Sequence, residues 1–281
     1  MRVMIFGATG LLGRALMREW QSDEVTGLGS KDADIRVVEQ VNAAIREYRP
    51  EYAVLAAAYT DVDGCEIHSQ LAFDVNCHGA ANVANACAQE NIPLLFLSTD
   101  YVFDGNKRTP YETDDPIDPQ TVYGKSKAAA EAEIRKIHPA YCILRTSWVF
   151  GVGGKCFPDT ILKLAETKAD LDVVNDQRGN PTYTVDLARA IIQLCSKGAR
   201  ETVHATNRGD CTWFDFAARI VAEANMKTRV RPTSSDKFVR PAKRPQYSVL
   251  SSRSLAELGL EMPTWQDASR RYLAERSLRT P

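Results

Sequence analysis

Short apolar segments alternate with longer amphipathic segments from the start of this 281-residue chain to Val174. The apolar segments have the length of buried strands, and the amphipathic ones repeat their apolar positions with a helical period. This alternation is typical of an α/β fold with a doubly wound parallel sheet. The predicted strands are residues 2–6, 25–28, 52–57, 93–98, 141–145 and 171–174. The predicted helices between them are residues 11–20, 37–48, 71–91, 123–138 and 157–168.

The pattern becomes irregular after Val174. Two helices, at 185–197 and 213–225, flank a short strand at 203–205, and a last helix is predicted near 265–275. A Pro- and Arg-rich stretch occupies 229–245. We expect a nucleotide-sized domain over 1–151, to which about 171–205 also contributes, and a smaller α/β substrate-binding domain formed mainly by 152–281.

Composition narrows the class of partner. The 35 basic and 36 acidic residues give a net charge of −1, so no general attraction to nucleic acid or to an anionic membrane is expected. The seven cysteines include no C-x-x-C pair and no zinc-ligand spacing, which is typical of small buried side chains in a reducing compartment. The sequence has neither a signal-peptide pattern nor an apolar stretch of bilayer length. We expect a soluble, cytoplasmic protein.

A glycine-rich turn follows the first strand directly. Gly7, Gly10 and Gly13 are spaced G-x-x-G-x-x-G and open the first helix. Glycines at such a turn let the backbone approach a pyrophosphate, and amides at the helix N-terminus meet its charge. The turn therefore predicts that 1–151 is a Rossmann-type NAD(P)-binding domain. The cofactor contacts are expected from the whole turn, namely Gly7, Thr9, Gly10, Leu11, Leu12 and Gly13.

The choice between the two nicotinamide cofactors is set after the second strand. An acidic residue that binds the adenosine ribose is expected there if NAD is preferred. This chain has Ser30 and Lys31 instead, and a hydroxyl and an ammonium suit a 2′-phosphate. The sequence favours NADPH, with NADH possible, although Lys31 is equally compatible with a solvated loop charge.

Small residues at the end of the third strand favour close approach of a cofactor. Ala57, Ala58 and Tyr59 lie at this strand end, which also fits ordinary packing. In the following helix, Asn76 is interpreted as a buried group that binds backbone and not as a catalytic residue.

Candidate chemistry lies at Tyr123 and Lys127. Residues four apart on a helix share one face, so the phenol and the ammonium can enter one pocket. A nearby cation favours phenolate and is expected to lower the pKa of Tyr123 towards neutrality, so that the phenol can act as a general acid. A tyrosine covered by a lysine stem is the structural alternative. Thr99, at the end of the fourth strand, adds a hydroxyl that can bind a substrate carbonyl or cap a turn.

With these motifs the chain resembles the extended short-chain dehydrogenases/reductases and, within them, the dTDP-4-dehydrorhamnose reductase family. The resemblance covers almost the whole chain. The segments that carry it begin at Gly7, Ala57, Ser98, Tyr123, Leu144, Asp176 and Arg244.

The resemblance implies a role for each site residue. Tyr123 is then the proton donor, Lys127 positions the nicotinamide ribose, and Thr99 binds the substrate carbonyl. The sugar pocket is expected to include Asp100, Tyr101 and Trp148. The implied reaction is hydride transfer from NAD(P)H to carbon 4 of a dTDP-linked 6-deoxy-4-ketohexose, giving dTDP-L-rhamnose.

The resemblance also bears on metal and assembly. The family includes dimers that share a magnesium ion held by glutamates, and those glutamates have no match here. No metal site is therefore predicted, and a monomer or homodimer is expected. Arg178 departs from the aromatic or small residue that many relatives have within the segment at Asp176.

The basic stretch 229–245 has two interpretations. A dTDP-sugar brings two phosphates that cations can neutralise, and Arg244 is the candidate contact. A solvated loop is the alternative. The cations concerned are Arg229, Arg231, Lys237, Arg240, Lys243 and Arg244.

Other functions remain open at this point. Nucleotide-sugar epimerases and 4,6-dehydratases use the same Tyr/Lys pair, but the dehydratases have a glutamate where this chain has Tyr101. A non-catalytic NADP-binding subunit, similar to the beta subunit of methionine adenosyltransferase, is the alternative from another class. Consumption of NADPH with a dTDP-4-keto sugar separates an enzyme from such a subunit.

Overall fold

The computed structural model describes residues 1–278, so that residues 279–281 of the predicted smaller domain lie outside it. Its strands are β1 (Arg2–Phe6), β2 (Glu24–Leu28), β3 (Tyr52–Leu55), β4 (Leu94–Thr99), β5 (Tyr141–Thr146), β6 (Val149–Phe150), β7 (Asp170–Val174), β8 (Arg178–Gly179), β9 (Thr182–Tyr183), β10 (Glu201–His204), β11 (Cys211–Thr212) and β12 (Arg229–Thr233). Six of them form a parallel sheet in the order β10-β5-β4-β3-β1-β2. The predicted doubly wound α/β fold is confirmed.

The helices pack against the faces of this sheet or into a separate core. They are α1 (Leu11–Glu19), α2 (Val38–Tyr48), α3 (Val62–Ile67), α4 (Ser69–Phe73), α5 (Gly79–Gln89), α6 (Val122–Ile137), α7 (Phe157–Ala165), α8 (Thr184–Ser196), α9 (Trp213–Glu223), α10 (Arg253–Glu257) and α11 (Trp265–Ser277). The eight predicted helices are all present. The helix predicted at 71–91 is interrupted by one wider turn, Asp74–His78, with the hydrogen bonding of a π-helix.

Alternation along the central strands fills a core on each face of the sheet. In β1, Val3 and Ile5 join the core beneath α1 and α8, whereas Met4 and Phe6 join the core beneath α2, α5 and α6. Successive side chains of a strand point to opposite faces, so one apolar segment supplies both cores. This is why the central strands read as continuous apolar runs.

The strand order reverses beside β1, which places a crevice at the carboxyl ends of β1 and β3. The chain leaves β1 for β2 on one side and returns to β3 on the other. Open α/β sheets bind ligands at such a point. Both the glycine-rich turn after β1 and the alanines after β3 lie there.

One predicted strand belongs to a different sheet. Residues 171–174 do form a strand, β7, but it pairs with β12 in a separate two-stranded sheet, so its expected place in the main sheet is wrong. The sixth strand of the main sheet is β10, where a short strand was predicted. Burial in β7 alternates between buried and exposed positions, as in a strand with one solvated face, whereas β4 is buried throughout.

A third core lies outside the central sheet. It is built from α7, α9, α11 and the short strands after Val149, with Phe150, Phe216 and Tyr272 at its centre. The separate core agrees with a second structural unit, but the division at residue 151 stays a prediction. All seven cysteines are free thiols, and none of the helices described is long and apolar enough to span a membrane.

Candidate active site

The glycine-rich turn is packed too tightly for other residues. Gly7 has φ +89°, and a Cβ there would lie 2.5 Å from the backbone nitrogen of Ala57. A Cβ on Gly13 would lie 2.2 Å from the carbonyl oxygen of Gly7. Both contacts are impossible, so these positions require glycine. The turn therefore holds β1, the start of α1 and the end of β3 in close contact.

A groove of about 340 Å³ opens over this turn. Gly10 caps α1 without a side-chain hydrogen bond, so the first amides of the helix stay available to an anion. The predicted cofactor residues that line the groove are Gly7, Thr9, Gly10, Ser30, Ala57 and Ala58. Those that do not line it are Leu11, Leu12, Gly13, Lys31, Tyr59, Tyr123 and Lys127. The groove thus combines free helix amides with a floor of small residues, as a dinucleotide requires.

The cation in this groove is Arg36, which sequence reasoning missed. Arg36 lines the groove together with Ser30, while Lys31 is exposed and does not. Its guanidinium forms a bidentate ion pair with Asp34, at 2.6 to 3.1 Å. The turn after β2 carries Arg36 back to the groove. The sequence motif places the ribose contact immediately after β2. Arg36 lies further along the chain, so the motif did not identify it.

Thr99 and Tyr123 lie next to each other at the carboxyl end of β4. The hydroxyl of Thr99 donates to Asp100 Oδ1 at 3.0 Å and accepts from the amide of Tyr101 at 3.2 Å. Thr99 also lies close enough to the phenol of Tyr123 to lower its pKa. The predicted proton donor and carbonyl contact therefore share one small site.

Burial dominates the acidity of Tyr123. The surrounding protein raises the pKa of its phenol above the ordinary value, and the nearby Thr99 hydroxyl offsets only part of this. The expected lowering of the pKa by Lys127 is therefore wrong for this structure. A phenol that stays protonated at neutral pH is in the form that a proton donor needs.

Lys127 is buried and almost inaccessible to solvent. Its side chain is 2% exposed, and its ammonium lies 4.0 Å from the ring centroid of Phe96. Burial lowers the pKa of Lys127 to about 7, against an opposing effect of Glu131 one turn further along α6. In the described part of the chain the ammonium has no hydrogen-bond acceptor, so it is free for a bound group.

Asp100 is a buried neighbour of Thr99. It is 2% exposed, and burial raises its pKa to about 6, against the opposing effect of the hydrogen bond from Thr99. Within residues 1–278, Asp100 Oδ2 has no hydrogen-bond partner. Asp100 lines neither described cavity, so its predicted contact with a sugar stays a prediction.

Asn76 ties the cofactor side of the site to α6. Its side chain accepts from the amide of Tyr59 at 2.7 Å, donates to the carbonyl of Tyr59 at 3.1 Å and donates to Ser126 at 3.0 Å. Ser126 in turn donates to the carbonyl of Tyr123. The interpretation of Asn76 as a buried backbone-binding group is confirmed. It lies in the π-helical turn, a feature common near functional sites.

A second cavity, of about 130 Å³, lies beside Tyr101. The ring of Tyr101 meets that of Tyr123 edge to face, with centroids 5.6 Å apart. Lys243, Arg244, Phe103 and Thr121 line the same cavity. The cavity therefore adjoins both the basic stretch and Tyr101, whose ring contacts that of Tyr123.

Trp148 lies in an aromatic stack. It adopts a left-handed backbone with φ 45°, and its ring packs on that of Trp213 at 3.4 Å between centroids, 6° from parallel. A Cβ on Gly179 would meet the indole at 2.6 Å. Trp148 is half-buried and lines neither described cavity, so its predicted contact with a sugar stays a prediction.

Comparisons with known proteins agree with this geometry. Residues 1–278 match the family model described as RmlD substrate binding domain. The chain is 41% identical to the spore coat polysaccharide biosynthesis protein SpsK of Bacillus subtilis, over 98% of each chain. It is 40% identical to a dTDP-4-dehydrorhamnose reductase of Streptomyces griseus, over 92% of this chain and 88% of that one. The crystal structure of a dTDP-4-dehydrorhamnose reductase from Bacillus anthracis in complex with NADP superposes with a TM-score of 0.95 at 38% identity, covering 98% and 99% of the two chains.

Removing the buried charge of Lys127 should stabilise the protein. Lys127→Met keeps an apolar chain of similar length. Between about pH 7 and the ordinary lysine pKa of 10.5, the unfolded chain binds a proton that the folded chain does not, so wild-type stability should rise with pH across that window. The variant should be more stable by roughly 3–5 kcal/mol at and below pH 7, and this advantage should shrink as the pH rises.

Urea unfolding of both proteins at several pH values measures this difference. Lys125→Met, on the exposed side of the same helix, is the matched control and should show no such pH dependence. A variant whose advantage is absent at pH 7, or stays constant up to pH 10, would contradict the buried-ammonium account.

Proposed function

The chain belongs to the RmlD substrate binding domain family, and from this membership we propose that it is an NADPH-dependent reductase of the 4-keto group of a dTDP-linked 6-deoxyhexulose. Its product is then dTDP-L-rhamnose. The observation that carries the proposal is that the Thr99 and Tyr123 hydroxyls lie next to each other. Lys127, which is buried, follows Tyr123 by one helical turn, and the same domain has a groove over the glycine-rich turn. Ketone reduction needs this combination of a proton donor, a carbonyl contact and a nucleotide site.

The groove fits the cofactor. Bound there, NADPH supplies the hydride for carbon 4 of the hexulose. Gly7, Ala57 and Ala58 leave room for the dinucleotide, and the first amides of α1 bind its pyrophosphate. Lys127, whose ammonium has no hydrogen-bond acceptor among residues 1–278, would hold the nicotinamide ribose.

Tyr123 and Thr99 act on the carbonyl oxygen of the substrate. As carbon 4 gains the hydride, its oxygen accumulates negative charge, and Tyr123 transfers the phenolic proton to it. Thr99 hydrogen-bonds the same oxygen, and this bond strengthens as the charge develops. The raised pKa of Tyr123 keeps its proton in place until the substrate is bound.

Specific residues argue against the alternative functions. A 4,6-dehydratase needs a further acid and base, and Tyr101 occupies the position of its glutamate. Another nucleotide-sugar 4-ketoreductase would use the same three residues and differs only in its sugar. A non-catalytic NADP-binding subunit has no need of a hydroxyl pair beside a buried lysine. The two-domain division at residue 151, a cytoplasmic location and a monomeric or homodimeric state accompany the proposal.

Conservative changes at the two hydroxyls test the mechanism. Tyr123→Phe keeps the ring but removes the acid, so kcat should fall by roughly 10²–10⁴-fold while the Kd for NADPH is unchanged. Thr99→Val removes one hydroxyl and should cost about 10–10³-fold, mainly in kcat. Steady-state kinetics with NADPH and a panel of nucleotide 4-keto sugars measure both. Near wild-type turnover by Tyr123→Phe would refute the assignment of Tyr123.

The cofactor preference tests the groove. A 2′-phosphate bound by Ser30 and a cation should give roughly 1–3 kcal/mol, or about a five- to hundredfold preference for NADPH over NADH in kcat/KM. Arg36→Ala should reduce this preference more than Lys31→Ala, because Arg36 lines the groove. Equal kcat/KM for the two cofactors in the wild type would remove the proposal. A larger effect of Lys31→Ala would return the role to the residue expected from the sequence.

A further inference from the structure

Residues 240–246 are here called the strap, and residues 243–246 of the strap line the cavity beside Tyr101. On one side the strap packs on the loop at Gly105, where a Cβ would lie 2.5 Å from Pro245 Cβ. The amide of Tyr247 also donates to the carbonyl of Gly105 at 3.1 Å. This side of the strap is therefore fixed by close packing.

The other side of the strap is held by a single carboxylate, that of Asp63 in α3. Arg244 donates to Asp63 Oδ1 at 2.6 Å and to Oδ2 at 2.9 Å, and the amide of Ala242 donates to Oδ1 at 3.2 Å. Arg244 also donates to the carbonyl of Ala242, which closes the strap on itself. Partial burial raises the pKa of Asp63, but the hydrogen bonds from Arg244 and Ala242 outweigh this and leave the pKa below its usual value.

The same helix also contacts the start of the catalytic helix. Glu66, three residues after Asp63, accepts from the amide of Val122 at 2.9 Å. Val122 is the first residue of α6 and immediately precedes Tyr123. Residues three apart lie on one face of a helix. The short helix α3 therefore connects the strap to the N-terminus of α6.

The charges of the basic stretch are mostly neutralised within the protein. Arg229 and Arg231 pair with Asp170, and Arg240 and Arg244 pair with Asp63. Among residues 1–278, Lys243 has no carboxylate partner, and it lines the cavity. Arg244 is 17% exposed in its side chain and is already bound bidentately. Lys243 is therefore the cation of the strap that is available to a ligand.

We propose that Asp63 is a positioning residue for substrate binding: it holds the strap through Arg244 and Ala242, so that Lys243 faces the diphosphate of the nucleotide sugar. The inference rests on the proposed function. Arg244 then acts through Asp63 and not as a direct phosphate ligand, which differs from the role expected from the sequence. The competing arrangement, in which phosphate takes Arg244 away from Asp63, predicts the opposite effect of removing the carboxylate.

Asp63→Asn tests the positioning role. The amide cannot hold the guanidinium bidentately, so the KM for the dTDP-4-keto sugar should rise by about tenfold, with kcat changed by less than about threefold. The Kd for NADPH should be unchanged, and amide hydrogen exchange at Ala242 should become faster. An unchanged KM would overturn the proposal, because the strap would then not depend on Asp63. A lower KM would also overturn it, because it would mean that Arg244, once freed from Asp63, binds the phosphate itself.

Asp170→Asn is the matched control. Asp170 also pairs with two arginines of the basic stretch, Arg229 and Arg231, but these pairs do not line the cavity. The variant should leave the KM for the sugar and the exchange rate at Ala242 unchanged. An equal rise in KM in this control would mean that the overall charge of the stretch matters, which would also overturn the role of Asp63.

Two further variants separate positioning from contact. Asp63→Asn combined with Arg244→Gln should be no worse than either single change, because both act through one pair. Lys243→Ala should raise the KM while exchange at Ala242 stays slow. Effects of Asp63→Asn and Arg244→Gln that add fully would contradict the pairing. Binding of dTDP by calorimetry gives the same comparison without turnover, so a failure of the proposed reaction is distinguishable from a failure of this inference.

Discussion

The buried ion pair between Glu131 and Arg145 fixes α6, the helix that carries Tyr123, on the sheet. Glu131, in α6, accepts from Arg145 at 2.9 and 2.7 Å and from Ser98 at 2.6 Å. Arg145 belongs to β5 and Ser98 to β4, so one carboxylate joins the helix of Tyr123 to the strand of Thr99. Arg135 contributes a further bond at 3.0 Å. Burying such charges is costly, and these hydrogen bonds offset the lost hydration. The separation between Tyr123, the proposed proton donor, and Thr99, the proposed carbonyl contact, depends on this junction.

The same junction sets the electrostatics of the site. Lys127 lies between Tyr123 and Glu131 along α6, and burial and Glu131 act on its pKa in opposite directions. The other side of α6 is fastened through Ser126 and Asn76 to Tyr59, beside the alanines of the cofactor groove. Thus α6 is the element at which the cofactor groove, the acid and the substrate cavity meet. A nucleotide-sugar reductase needs the groove, the acid and the cavity in a fixed arrangement, because a hydride passes between two molecules that are bound at the same time.

Periodicity and motifs predicted most of the fold and six of the residues that line the groove over the glycine-rich turn, for physical reasons. Strands buried on two faces are continuous apolar runs, and Gly7 and Gly13 occupy positions that exclude any Cβ. The assignment of 171–174 to the main sheet failed because a short apolar run does not reveal its partner strand. Arg36 and the pairing of Arg244 with Asp63 depend on how the chain returns in space, across 181 positions in the second case. The pKa of Tyr123 was also mispredicted. Burial raises this pKa, and the spacing of residues along the sequence does not show how deeply a side chain is buried.

Transfer of a labelled hydride tests directly whether this protein reduces the 4-keto group of a nucleotide sugar with NADPH. The purified protein is incubated with a dTDP-4-keto-6-deoxyhexose and NADPH deuterated at the transferable position of the nicotinamide, and the product is analysed by mass spectrometry and NMR. The account predicts one deuterium on carbon 4 of a dTDP-6-deoxyhexose and stoichiometric oxidation of NADPH. Absence of NADPH oxidation, or a product without deuterium at carbon 4, would contradict it.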